Sequence, residues 1–122
     1  MPASFITHND NQILYLDVTN SPDVETSMAQ FDEAKRICQM QPEKSVLLLT
    51  DVTGAHYNTE ATNHMKEFSA AVTPYIRASA AVGVTGIMRI IVRSLIRISG
   101  RGIRIFDSLD EAKDWLVEQA ED

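Results

Sequence analysis

Four consecutive apolar residues, Val46–Leu47–Leu48–Leu49, run into the polar stretch Thr50–Asp51–Val52–Thr53–Gly54. A short apolar run bounded by turn formers reads as a strand covered on both faces. Its polar exit opens at the rim where open α/β sheets usually bind ligands.

Two β-prone runs precede this strand: Phe5–Ile6–Thr7–His8, and Ile13 to Val18. Asn9–Asp10–Asn11–Gln12 between them is turn chemistry, so the pair predicts an opening hairpin. In the second run Leu14, Leu16 and Val18 share one face and Ile13, Tyr15 and Asp17 the other. Both faces are therefore expected to be at least partly covered.

Asn20–Ser21–Pro22–Asp23 predicts a helix start, with Ser21 as N-cap and Pro22 at the first position. Val24, Met28, Phe31, Ala34 and Cys38 recur at helical spacing, and Pro42 ends the pattern. A second helix is expected from Asn58 or Thr59, with Ala61, Met65, Phe68, Val72 and Ile76 as its buried stripe and Pro74 near its end. The small residues Ala80–Ala81–Val82–Gly83–Val84 read as the next strand.

Thr85–Gly86 opens a third helix, Ile87 to Ser99, closed by Gly100 and Gly102. Arg89, Arg93 and Arg97 stand four apart, within about 80° of one another at 100° per residue. Nearly every other position on it is Ile, Leu, Met or Val. Ile103–Arg104–Ile105–Phe106 is a last short strand. Ser108 and Glu111 form a capping box before a fourth helix with Ala112, Trp115 and Leu116, and Glu121–Asp122 reads as a frayed acidic tail. The order β-β-α-β-α-β-α-β-α predicts an α/β fold: one domain over residues 1–122, with a mixed, mostly parallel sheet of about five strands and four helices.

Composition narrows the picture. At 122 residues with 44% apolar content, the chain needs no disulfide or metal to fold. Cys38 is the single cysteine, in keeping with a reducing, cytoplasmic setting, and reads as a small core residue. The start, Met1–Pro2–Ala3–Ser4–Phe5, lacks the features of a signal peptide. Residues 79–98 are apolar enough to raise a membrane span. However, Arg89, Arg93 and Arg97 would each cost roughly 2.5–3.5 kcal/mol at a bilayer centre, so no transmembrane segment is expected.

The net charge is −6, unevenly spread. Residues 77–104 hold six arginines and no acid, which leaves 17 acids against 11 − 6 = 5 bases elsewhere. So acidic a chain is not expected to bind nucleic acid, although a basic stripe on it suits an anionic partner.

The element order, the strand ending Leu49–Thr50–Asp51–Val52–Thr53–Gly54 and the finish from Ile103–Arg104–Ile105–Phe106 through Ser108, Glu111 and Trp115–Leu116 resemble STAS-like bacterial proteins. These are grouped by likeness to anti-sigma-factor antagonists and to SEC14-like domains. The resemblance implies a small cytoplasmic module that binds partners and catalyses nothing. In anti-sigma antagonists a strand of the Asp-Leu-Ser-Gly type leads to Asp-Ser-Ser-Gly at a helix start, where a kinase phosphorylates the first serine. Laid without gaps from Asp51, that motif falls on Thr59–Glu60–Ala61–Thr62, and Glu60 stands at the serine position. A carboxylate there resembles a permanently charged state.

Two groups of candidate binding residues emerge. Asp51, Thr53, Gly54, Thr85 and Gly86 lie at strand exits, with Arg89 one turn into the following helix, and suit a small anionic or polar ligand. Arg89, Arg93 and Arg97 suit a dimer contact, an anionic lipid surface or plain solvation. His56, Glu60 and His64 stand four apart, but an N-cap at Asn58 or Thr59 leaves His56 off the helix, so no metal is expected. No cofactor is expected either. Asp51 and His56 could be drawn as a base and its orienter, yet Asp51 reads more simply as a holder of loop N–H groups. With no Gly-x-Ser-x-Gly, P-loop, Gly-x-Gly-x-x-Gly or Cys-x-x-Cys motif, the expectation is no enzyme. The leading expectation is a homodimeric interaction module with an unknown protein partner. The alternative is a peripherally membrane-associated binder of a small apolar or anionic lipid-like ligand.

Overall fold

The computed structural model describes residues 3–19 and 21–120. Five strands form one sheet in the order β1-β2-β3-β4-β5: β1 (Ala3–His8), β2 (Asn11–Asp17), β3 (Val46–Asp51), β4 (Ile76–Val82) and β5 (Arg104–Phe106). The β1–β2 pair is antiparallel and every other pair is parallel. Four helices connect and cover them: α1 (Val24–Gln39), α2 (Thr59–Val72), α3 (Ile87–Ser99) and α4 (Leu109–Ala120). The α/β fold and the element order are those expected.

β3 runs down the middle of the sheet. Val46 and Leu48 pack on one face with Phe31 of α1, Phe68 of α2 and Leu95 of α3. Leu47 and Leu49 pack on the other with Ala112, Leu116 and Val117 of α4. Alternate side chains of a strand point to opposite faces, so an all-apolar run requires cover on both. β2 behaves alike: Leu14 and Leu16 join the three-helix face and Ile13 the α4 face. Phe31 and Phe68 meet edge to face at 5.1 Å, tying α1 to α2.

Several local boundaries differ from those expected. The hairpin turn is only Asn9–Asp10, both with positive φ, while Asn11 and Gln12 already pair with His8 and Thr7. Two left-handed residues give the tight primed turn that matches strand twist. At α1, Asp23 rather than Ser21 is the N-cap, and its carboxylate accepts from the Thr26 N–H at 2.8 Å. That bond holds its carboxyl below the usual range. The Ser21 hydroxyl instead donates to Gln30 Oε1. Ser27 is buried on α1, while Val24 and Met28 are only half-buried.

Ile76 opens β4 and does not belong to the helix before it. A 3-10 turn, Thr73–Tyr75 with Pro74, ends α2 early, so β4 begins at Ile76 and stops at Val82, before Gly83 and Val84. β5 starts at Arg104, one residue later than expected. Other signals stand as expected. The Asn58 side chain caps α2, accepting from the Ala61 N–H at 2.8 Å. The Ser108 hydroxyl accepts from the Glu111 N–H at 3.2 Å and donates to Glu111 Oε1 at 3.1 Å. Met1–Pro2, Asn20 of the expected helix start and the acidic tail Glu121–Asp122 lie outside the described residues.

Candidate functional site

The strand exits are built as turns. Asp51 is buried, and its Oδ1 accepts from the N–H of Thr53 at 3.0 Å and from its hydroxyl at 2.7 Å. The neighbouring strand repeats the device: Asp17 Oδ1 accepts from the N–H and the hydroxyl of Thr19. Asp17 and Asp51 are register partners, so two Asp-Val-Thr turns stand side by side. They also help push the Tyr15 hydroxyl upward in pKa, after burial as the larger cause. Asp51 thus holds the loop backbone, and His56 is an exposed loop residue.

The candidate residues divide in two. Thr53 lies against Gly83, which brings the exit of β3 to the exit of β4, where Thr85 and Gly86 are exposed. Strand order along this sheet never reverses, and α1, α2 and α3 share one face. A ligand crevice in an open α/β sheet arises where order reverses and helices part to opposite faces. The exit of β3 is therefore not such a switch point. Arg89, Arg93 and Arg97 run away from the strand exits along α3, about 12 Å at 1.5 Å per residue. All three are exposed.

Alongside the arginines, Ile87, Ile90 and Ile98 are 61%, 65% and 57% exposed. Met88, Ile91, Val92 and Leu95 are the residues α3 turns inward. The apolar arc of the helix is thus wider than its core contact, and one edge of it faces water. Ion pairs among the described residues are His8–Asp114 at 2.7 Å and His64–Asp32 at 2.8 Å, so none engages the α3 arginines. On the same face of the sheet, an open groove of about 480 Å³ runs between α1 and α2. Met28 and Ala29 line it together with Glu25, Asp32, Glu60 and Glu67. Glu60 lines this groove in the first turn of α2.

A second feature lies inside the three-helix face and was missed in the sequence. A cavity of about 50 Å³ is lined by Leu48, Phe31, Phe68, Val92, Leu95 and Arg101, among others. Arg101 reaches back from the loop after α3. Its Nη2 donates to Ser69 Oγ at 2.8 Å and its Nε to Thr73 Oγ1 at 3.2 Å. Nη1 is buried with no hydrogen-bond partner among the described residues. Burial pushes the Arg101 guanidinium down to about 10, still a cation at neutral pH. Cys38 lies near enough to feel it, yet burial pushes this thiol up to about 11 and keeps it neutral. The only signal in the chain was the Gly100–Arg101–Gly102 setting, which reads equally as a helix stop.

Arg104 and Arg77 make structural contacts. Arg104 sits over the rings of Phe106 and Trp115 at 5.5 and 5.6 Å, clamping α4 to β5. Arg77 Nε donates to the Gln119 carbonyl at 2.7 Å. No described helix is long and apolar enough to cross a membrane.

Comparison with known protein families, with curated proteins and with solved structures finds no match for this chain.

Proposed function

We propose that this chain is a non-catalytic, STAS-like interaction module that pairs with a second copy of itself through α3. Its element order and mixed sheet support the STAS-like assignment. Three isoleucines more than half exposed beside three arginines carry the pairing. Apolar side chains gathered in one exposed row mark an interaction surface, whereas scattered ones do not. Burying them is favourable by roughly 25 cal/mol per Å² removed from water.

Charge complementarity favours a second copy as the occupant. The groove between α1 and α2 offers Met28 and Ala29 beside the carboxylates of Glu25, Glu60 and Glu67, while Asp32 is paired with His64. Glu60 and Glu67 span about 10.5 Å of α2, and Arg89 to Arg97 about 12 Å of α3, at 1.5 Å per residue. Two copies facing each other about a two-fold axis place α3 of each on the groove of the other. Such contacts steer association and weaken with salt.

Analytical ultracentrifugation tests this reading. The expected result is a dimer that weakens as salt rises. Arg93→Glu should give a monomer, and adding Glu67→Arg to it should restore the dimer. A monomer at every concentration and salt, or a dimer indifferent to Arg93→Glu, overturns it.

A further inference from the structure

We propose that the outer edge of β1 docks an extended segment of another protein, with an uncharged, β-branched middle and a basic residue at each end. The site uses no residue of α3 or of the groove between α1 and α2, and stands whether or not the chain dimerises.

The register of the hairpin fixes which backbone groups of β1 face outward. The two-residue turn Asn9–Asp10 is closed by His8 and Asn11, a hydrogen-bonded pair, and such pairs alternate along an antiparallel ladder. Ile6 and Ser4 therefore bond to β2, while the N–H and C=O of Thr7, Phe5 and Ala3 point away from it. The Ala3 N–H follows this parity: it donates to Glu33 Oε1 of α1 at 3.3 Å. No strand lies beyond β1 among the described residues. Phe5 and Thr7 are both exposed, and their outward groups form a template for a further strand.

The two edges of the sheet are built differently. β5 is three residues long and carries the charge of Arg104, two devices that discourage strand addition. β1 has six residues without Pro, Lys, Arg, Asp or Glu, and leaves Phe5 40% exposed. In strand addition, main-chain bonds give affinity and alternate side chains give selectivity. A residue directly opposite Phe5 falls on the same face, so a β-branched apolar side chain there covers the ring. Charge selects the ends of the segment. Glu33 sits at the Ala3 end and Asp10 at the turn, and the chain outside residues 77–104 holds 17 acids against 11 − 6 = 5 bases. Basic ends complement this setting. A second copy of β1 carries neither Lys nor Arg and would bring the same acids with it.

The probe is the peptide Lys-Val-Thr-Val-Thr-Lys, fluorescein-labelled and amidated, titrated into the full chain by anisotropy at low salt. Saturable one-to-one binding is expected, with amide exchange of Phe5 and Thr7 slowed at least tenfold and the same affinity in Arg93→Glu. Methylating both valine nitrogens removes the donors that face β1 and should weaken binding at least tenfold. Exchanging both lysines for glutamate should do the same. Thr7→Pro removes an outward N–H while leaving the β1–β2 bonds, and should weaken binding at least tenfold with unchanged circular dichroism. Phe5→Ala, which keeps the backbone intact, should weaken it at least threefold. Equal binding of the methylated peptide overturns strand addition, and equal binding of the glutamate peptide overturns the charge assignment. Binding that survives both Thr7→Pro and Phe5→Ala places the peptide elsewhere and overturns the site. Assemblies larger than a dimer formed by the chain alone and lost in Thr7→Pro make a second copy the occupant, and overturn the proposal. So does the absence of saturable binding.

Discussion

Gly83 and Thr53 approach so closely that a Cβ on Gly83 would lie 2.1 Å from Thr53 Oγ1 and 2.6 Å from its Cα. The contact joins the exits of β3 and β4, next to the Val52 N–H bond to the Val82 carbonyl at 2.9 Å. Gly83 also has φ +82, which L side chains disfavour. Gly83→Ala should therefore destabilise by about 2 kcal/mol or more, combining backbone strain with overpacking. Gly54, with φ +67 and open space around it, isolates the first component. Gly54→Ala should cost only about 1 kcal/mol. Urea unfolding of both variants checks the difference, and equal losses would remove the steric explanation.

The centre of the sheet sets a second expectation. Leu49 is fully buried between β2, β4 and α4. Leu49→Ala should cost about 2–5 kcal/mol, because the packed surroundings cannot collapse into the space left. Thr50 on the same strand is only half-buried, and Thr50→Ala should cost far less. Denaturant midpoints rank the two.

Asn58 caps α2 through one side-chain oxygen. Asn58→Ala should cost about 1 kcal/mol, whereas Asn58→Asp keeps the acceptor and adds a charge at the favourable helix end. The measurement is the thermal midpoint of each variant. An Asn58→Ala protein as stable as its parent would show that the helix end is satisfied by water.

Alkaline pH offers a fourth test. Burial raises the Cys38 thiol from 9.0 to about 11. A raised acid keeps its full contribution below the unfolded value, and loses it as pH climbs through the folded one. Stability should thus fall between pH 9 and about 11, and fall less in Cys38→Ala. Thiol labelling of the native protein should be slow throughout, limited by opening of α1. Parallel pH curves for parent and variant would contradict the assignment.

Legibility followed the range of the interaction. Residues 46–49 were readable as a central strand because an apolar run without alternation has one economical solution, cover on both faces. The Ser108–Glu111 box was readable because both partners lie within one turn. Asp23 and Ser21 were not separable in this way: either residue can cap, and Ser21 was drawn off by Gln30, nine positions away. Ile76 fits the α2 stripe by spacing, and only the turn at Pro74 moves it into β4.

Local patterning by itself determined the element order, the two covered faces of β2 and β3 and the exposed arginine stripe of α3, since periodicity and capping act over a few residues. Tertiary structure alone decided the strand order, the pairing of Asp17 with Asp51, and the meeting of Arg101 with Ser69 and Thr73 across 32 and 28 positions. Such contacts depend on how distant segments come together in the packed core, which no local spacing encodes.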